Sequence, residues 1–167
     1  IETALFNFDG ILVYEKWMDD HRDEQQIDGT LPSIIPTAGW GYSWGNGPDW
    51  TSSMILVPWN VYKFYGDTRI LEENYENMKR YVSKIKSVSK DNLTSWGLGD
   101  WVPVKSKSNL EFTSSIFYYT DVLLISKIAK ILGHNNEAFE FKNLAIDIKS
   151  SINNKYFDKE TNTYASG

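Results

Sequence analysis

An aspartate followed directly by a tryptophan occurs twice in the chain, as Asp49-Trp50 and as Asp100-Trp101. A carboxylate accepts hydrogen bonds from neighbouring hydroxyls, and the flat apolar indole packs well against the C–H face of a sugar ring. We therefore predict that Trp50, Trp101, Asp49 and Asp100 bind a carbohydrate. Each pair is a weak signal by itself. For the first pair there is also an alternative, since Asp49 could be the N-cap of a helix that begins at Thr51.

The tryptophans are concentrated in segments that lack a helical pattern. Five of the seven lie in or beside two long Gly-rich segments, namely Trp40, Trp44, Trp50, Trp96 and Trp101. These rings could stack on sugars or fill small cores within the loops themselves, and the sequence leaves both readings open. Trp17 and Trp59 fall within helical patterns, which predicts that they belong to the core.

The sequence offers carboxylates but no convincing catalytic constellation. A glycosidase needs two carboxyl groups at a separation set by its mechanism, and the loop candidates are Asp28, Asp49, Asp91, Asp100 and Glu111. His21 lies in a charged run and His134 in a tight turn, so both are predicted at the surface. We find no metal-ligand spacing, phosphate loop or nucleophile elbow, and we predict neither a catalytic residue nor a cofactor within the chain.

Composition narrows the possible partners. With 41% apolar residues in 167, the chain can bury a sizeable core. The net charge of -5 makes nucleic acid and anionic membrane surfaces poor partners, and the longest apolar runs are too short to span a membrane. No signal peptide pattern is seen, so localisation stays unknown. Because the chain opens inside a helical pattern, we expect a fragment of a longer protein.

Apolar residues at three-and-four spacing predict an all-α fold. The first three predicted helices cover residues 1–26 with a break at Asp9-Gly10, 51–65 with Pro58 inside, and 68–88. A fourth helix runs from Thr113 or Ser114 to Leu132, and Asn135 caps the last helix. A short extended segment around a polar turn follows at 156–164.

Long and short connections alternate between these helices. The long loops are residues 27–48 and 89–112, and the tight turns lie at Gly66-Asp67 and Gly133 to Asn135. In an antiparallel array every second connection lies at the same end, so both long loops should emerge on one face. We predict that this face carries the ligand site, because loops on a rigid scaffold commonly carry function.

Several short motifs occur together along the chain. They are Asp28-Gly29-Thr30-Leu31-Pro32, Gly47-Pro48-Asp49-Trp50, Val57-Pro58-Trp59, Tyr65-Gly66-Asp67, Gly97-Leu98-Gly99-Asp100-Trp101, Ile131-Leu132-Gly133 and Phe157-Asp158. As a set they resemble the catalytic domain of the bacterial α-L-rhamnosidases, glycoside hydrolase family seventy-eight. The resemblance implies that residues 1–167 are the N-terminal part, about half, of an (α/α)6 toroid of six helical hairpins.

The resemblance also implies an activity, the inverting hydrolysis of terminal α-L-rhamnose from a glycoside or polysaccharide. In that family the general acid precedes the position of Ile1 and the general base follows that of Gly167, so this segment would supply part of the pocket only. Trp50 and Trp101 match the family's sugar-facing indoles, whereas sugar contact by Asp49 and Asp100 is inferred from their position beside these rings.

Two other functions stay open at this point. The chain could belong to another (α/α)6 glycosidase with a different sugar preference, such as a glucoamylase-like enzyme or a uronyl hydrolase. It could also be a non-catalytic helical module that binds protein. A half toroid would expose an apolar seam through which the fragment could self-associate.

Overall fold

The computed structural model describes residues 1–104 and 107–164. Over these residues the chain forms helices α1 (Glu2–Asn7), α2 (Ile11–Glu24), α3 (Pro48–Thr51), α4 (Ser53–Tyr65), α5 (Arg69–Val88), α6 (Leu110–Ile131) and α7 (Asn135–Tyr156), followed by strands β1 (Phe157–Asp158) and β2 (Thr163–Tyr164). The prediction of an all-α fold is confirmed. The two strands lie where a short extended segment around a polar turn was predicted, and they pair antiparallel.

Helix α5 shows how the sequence pattern builds the core. Its apolar residues recur at three-and-four spacing, and Leu71, Tyr75, Met78, Val82 and Ile85 are all buried. Helix α4 packs along α5, α6 packs along α7, and α5 contacts α6 between the two pairs. The core therefore lies between two helical hairpins, with α2 packed on the outside of α4 and α5.

The tight turns lie together at one end of the array. Gly66 adopts a left-handed conformation (φ 71°) that ends α4, and its N–H bonds the carbonyl of Tyr62. In the second turn the ring of His134 stacks on Tyr75 in the first turns of α5, with centroids 4.8 Å apart and planes 9° apart. The turn after α6 therefore lies beside the turn before α5, as the alternation of loop lengths predicted.

Helix boundaries differ from the prediction at α6 and α7. Helix α6 begins at Leu110 instead of Thr113 or Ser114, because Asn109 is the N-cap and its side chain accepts a hydrogen bond from the backbone N–H of Phe112, 3.0 Å away. Asn135 is the first residue of α7 and not its cap. Glu111, predicted in a loop, consequently lies in the first turn of α6.

The surface position predicted for His21 is wrong. The side chain is fully buried, with Nδ1 2.7 Å from the carbonyl oxygen of Trp17 and Nε2 2.8 Å from Ser53 Oγ. His21 follows Trp17 by one helical turn and so shares the face of α2 that packs on α4. Burial lowers the pKa of His21, partly opposed by the backbone contact to Trp17. His134, in contrast, is exposed as predicted.

Large apolar side chains remain exposed on the outer helices. They are Phe6, Phe8, Leu12 and Val13 around α1 and the start of α2, and Phe139 and Ile146 on α7. Among the described residues, no helix combines the length and the apolar character needed to cross a membrane.

Candidate functional site

The two long loops meet at the end of the array opposite the tight turns. Gly47 (φ 145°) packs so closely on the second loop that a Cβ there would lie 2.4 Å from Gly97 Cα and 2.5 Å from the carbonyl oxygen of Trp96. A larger residue would overlap backbone atoms that cannot rotate away. The close packing of Gly47 on Gly97 thus brings Asp49-Trp50 next to the segment that contains Asp100-Trp101.

Asp49 joins the loops through its carboxylate. Its Oδ2 accepts a hydrogen bond from the backbone N–H of Gly99, while Oδ1 is buried and has no hydrogen-bond partner among residues 1–104 and 107–164. The pKa of Asp49 is raised by burial, and backbone N–H groups of Gly99 and Leu98 oppose the rise. The alternative role as an N-cap at Thr51 is wrong, because Pro48 begins α3 and Gly47 occupies its N-cap position.

Trp50 and Trp101 form the aromatic part of the site. Their ring centroids lie 5.7 Å apart with planes at 73°, so the edge of one indole contacts the face of the other. Both rings remain open to solvent, with 38% of Trp50 and 61% of Trp101 exposed. The pair forms an apolar corner with uncovered ring surface at the loop end of the molecule.

Asp100 is turned toward its own loop. Its Oδ2 lies 3.3 Å from Ser108 Oγ and 3.5 Å from the backbone N of Ser108, contacts that tie together the two sides of the second loop. The structure thus brings Asp49, Trp50 and Trp101 together and places Asp100 beside them with its carboxylate on Ser108. Sugar contact by all four residues stays a prediction.

The remaining tryptophans divide between the core and the surface. Trp96, like Trp17 and Trp59, is partly buried and packs against the core. Trp17 also donates a hydrogen bond to the carbonyl of Ile35, at 2.9 Å. Trp40 and Trp44 form a second exposed pair, with centroids 5.3 Å apart.

The other loop carboxylates do not join the site. Asp28 forms an ion pair with Lys84 at 2.7 Å, and Glu111 contacts Lys155 and Tyr156. Asp91 lies in a turn shortly after the end of α5. Across the described ranges, no group of three or more His, Asp or Glu residues could hold a metal ion. The functional groups that the structure brings together at the loop end are the indoles of Trp50 and Trp101 and the carboxylate of Asp49.

A buried polar cluster beneath α3 was missed by the sequence analysis. Ser52 Oγ, at the junction of α3 and α4, lies 2.7 Å from Asp121 Oδ2 on α6, and Thr51 Oγ1 lies 3.0 Å from the hydroxyl of Tyr81 on α5. The sequence contains a signal for it. Asp121 follows Tyr118 and precedes Val122 and Ile125, so it is an acidic residue on an otherwise apolar helix stripe.

The sequence matches a known protein family over its whole length. The family model described as the bacterial alpha-L-rhamnosidase 6 hairpin glycosidase domain matches residues 1–167. The chain belongs to this family. The predicted resemblance and the six-hairpin glycosidase fold are confirmed.

Individual members of this rhamnosidase domain family agree with the match. An alpha-L-rhamnosidase of Formosa agariphila is 26% identical over 163 residues, which cover 93% of this chain and 17% of that protein. The structure of an alpha-L-rhamnosidase from Dictyoglumus thermophilum is 38% identical with a TM-score of 0.88, over 95% of this chain and 18% of that one.

A Streptomyces avermitilis alpha-L-rhamnosidase complexed with L-rhamnose shares the fold. Its TM-score is 0.90 at 22% identity, over 99% of this chain and 16% of that one. The chain therefore spans less than a fifth of the length of each of these three relatives.

Proposed function

We propose that residues 1–167 are the N-terminal part of the six-hairpin catalytic domain of a glycoside hydrolase that removes terminal α-L-rhamnose with inversion. In this proposal the chain supplies part of the sugar pocket, and the general acid and base lie outside it. The substrate is a rhamnose-containing glycoside or polysaccharide. The activity needs no cofactor bound by the described residues.

The observation that carries the proposal is the open corner formed by Trp50 and Trp101. Indole faces without a protein partner are suited to the apolar face of a sugar ring, and the corner lies where both long loops meet. The relatives are consistent with a rhamnosyl ligand, since one of them was crystallised with L-rhamnose.

Roles for the two carboxylates follow from their contacts. Asp49 accepts a hydrogen bond from the backbone N–H of Gly99 and so anchors the second loop; its proposed effect on sugar binding is to hold Trp101 opposite Trp50. Asp100 is held by Ser108 and lies next to Trp101, so we propose that its carboxylate accepts a hydrogen bond from a sugar hydroxyl at this ring. Both remain part of the proposed sugar site.

An aryl α-L-rhamnoside tests the activity. We expect the full-length protein to hydrolyse it and to release β-L-rhamnose first, as seen by proton NMR at early times. Release of the α-anomer would contradict inversion. A panel of other aryl glycosides, including glucosides and unsaturated uronides, distinguishes a different sugar preference within the same fold.

The isolated 167-residue chain gives the complementary test. We expect no turnover above that of its Asp100→Asn variant, because the acid and base are proposed to lie elsewhere. Turnover above that control would show that catalytic residues are present in the chain. A full-length protein that neither hydrolyses nor binds any sugar would favour a protein-binding helical module.

The exposed apolar residues on α1, α2 and α7 suggest that the isolated chain self-associates. Sedimentation velocity over a range of concentrations measures this directly. We expect the weight-average mass to rise with concentration, and a constant monomer mass would contradict the proposed seam.

A further inference from the structure

Asp121 is a buried acid that the proposed function does not use. It lies inside α6 with none of its surface exposed. Its Oδ2 is 2.7 Å from Ser52 Oγ, whereas Oδ1 has no hydrogen-bond partner in the part of the chain that the structure describes. Among the described residues no cation pairs with Asp121, and an ionised carboxylate buried there with one hydroxyl partner would be strongly disfavoured.

Counting hydroxyl protons shows which group donates to Ser52. A serine hydroxyl has a single proton, and Ser52 Oγ is also in contact with the carbonyl oxygen of Pro48, which can only accept. The proton of Ser52 therefore belongs to the Pro48 contact. The short distance between Ser52 and Asp121 then requires a proton on the Asp121 carboxyl group.

The neighbouring hydroxyls cannot supply that proton. Thr51 Oγ1 donates to the carbonyl of Gly47 at 2.8 Å, so the 3.0 Å contact between Thr51 and Tyr81 uses the phenolic proton of Tyr81. Tyr81 has then no proton left for Asp121. Each hydroxyl in the cluster thus donates its single proton to another group, and the Asp121 carboxyl group is the remaining donor to Ser52.

We propose that Asp121 is a positioning residue that keeps its proton in the folded protein and donates it to Ser52, so that α6 holds the α3–α4 corner and the Trp50 ring it carries. The importance of this corner for sugar binding rests on the proposed function. The protonation state of Asp121 does not depend on the proposed function, because the groups involved lie beneath the site.

The electrostatic surroundings agree with a neutral carboxyl group. Burial raises the pKa of Asp121 well above its ordinary value, and this effect outweighs the hydrogen bonds that Ser52 and Tyr81 would have to turn toward an ionised carboxylate. The other titratable groups near the cluster are Tyr81 on α5 and Asp49 on α3, which are themselves acids and supply no positive charge. Burial also raises the pKa of Tyr81 well above its ordinary value, so its phenol keeps the proton that the count assigns to it.

The proton is tested by comparing the pH dependence of unfolding for the wild type and Asp121→Asn. The unfolded Asp121 loses its proton above about pH 4 while the folded one keeps it, so stability should fall as pH rises. We expect the unfolding constant of the wild type relative to the variant to grow by up to about tenfold per pH unit above pH 4. A ratio that is constant between pH 5 and 8 would mean that Asp121 is ionised in the fold.

An infrared measurement gives a second readout of the same proton. The difference spectrum between wild type and Asp121→Asn at pH 7 should contain the C=O stretch of a protonated carboxylic acid, and Ser52→Ala should shift this band. The absence of the band would overturn the assignment.

Positioning is tested by hydrogen exchange in α3. The N–H groups of Trp50 and Thr51 bond the carbonyl of Gly47, and we expect Asp121→Ala and Ser52→Ala to accelerate their exchange. Ser126→Ala is the matched control, because Ser126 is a buried hydroxyl of the same helix that donates to the carbonyl of Ala138, away from α3. Asp121→Asn retains an N–H donor for Ser52 and should restore slow exchange.

A sugar titration extends the test to the proposed pocket. Followed by tryptophan fluorescence in the full-length protein, the Kd for L-rhamnose should rise about tenfold in Ser52→Ala and Asp121→Ala, and less than about threefold in Asp121→Asn and Ser126→Ala. Wild-type affinity and wild-type exchange in both truncating variants would overturn the positioning role. If Asp121→Ala does not fold, the results for Ser52→Ala and Asp121→Asn decide the positioning role. If the wild type binds no rhamnose, the proposed function fails, while exchange and pH dependence still decide the role of Asp121.

Discussion

The two ends of the helical array both carry an aromatic pair. One ring of the turn-end pair is buried, whereas both rings of the loop-end pair are exposed. At the turn end, Tyr75 and His134 stack face to face, Tyr75 is buried, and its hydroxyl donates to Glu137 at 3.0 Å. At the loop end, Trp50 and Trp101 meet edge to face and keep ring surface in solvent.

Charged groups differ between the ends in the same way. Glu137 accepts hydrogen bonds from both Tyr75 and Lys79 on its two oxygens, whereas Asp49 bonds Gly99 through one oxygen and leaves the other unpaired among the described residues. At the turn end the buried ring and the carboxylate both have partners. At the loop end both rings are exposed, and one carboxylate oxygen has no partner among the described residues. Surplus aromatic residues therefore indicate a binding site only where their faces stay uncovered.

The largest expected effect is at the contact between the two loops. Gly47→Ala places a Cβ 2.4 Å from Gly97 Cα at a φ that L residues rarely adopt, and we expect a loss of about 3 kcal/mol in the free energy of unfolding. Denaturant unfolding measures it. Gly66→Ala is the control at the turn end, because its Cβ would meet nothing within 4 Å, and strain at φ 71° alone should cost about 1 kcal/mol. Equal losses in the two variants would mean that the loops are not packed as described.

The second effect separates binding from stability at the loop end. Trp101→Ala should weaken L-rhamnose binding by about tenfold, or about 1.4 kcal/mol, with little change in stability, because most of the ring is exposed. Isothermal titration of the full-length protein gives the affinity. Trp40→Ala is the control. It removes an equally exposed indole from the Trp40–Trp44 pair and should leave the affinity within about twofold. Equal losses of affinity in Trp101→Ala and Trp40→Ala would indicate that sugar binds at both tryptophan pairs.

The buried histidine behind the loop end should make stability depend on pH. The folded pKa of His21 is lowered from its ordinary value of 6.5, so the unfolded chain binds the proton first as pH falls. Stability is then present above pH 6.5 and is lost as pH falls toward the folded pKa. We expect this loss in the wild type and not in His21→Gln, measured by denaturant unfolding at each pH. A parallel dependence in both proteins would assign the effect to other groups.

The smallest effect is at the turn end. Glu137→Gln weakens contacts to Lys79 and Tyr75 that are partly exposed, and we expect a loss of about 0.5 kcal/mol with no change in sugar affinity. Glu76→Gln is the control, since Glu76 also pairs with Lys79 but is largely exposed, and it should cost less. A change in rhamnose affinity in Glu137→Gln would show that the two ends are coupled.

Much of the fold could be predicted because it depends on local patterns. The spacing of Leu71, Tyr75, Met78, Val82 and Ile85 already defines the buried face of α5, and Gly66 and Gly133 mark the turns. The start of α6 was misplaced because the Asn109 cap was not recognised. His21 was misplaced because its charged sequence neighbours lie on the other side of the helix, and only packing on α4 shows which side is buried.

The sequence by itself determined the all-α fold, the family and the four residues proposed for the sugar site, since helical periodicity and short motifs are properties of neighbouring residues. Tertiary structure alone decided that Trp50 meets Trp101, that Asp49 bonds Gly99 and not a helix N-terminus, and that Asp121 lies beneath α3. Each of these contacts joins residues about 50 or more positions apart in the chain, and no local pattern encodes the distance between such residues.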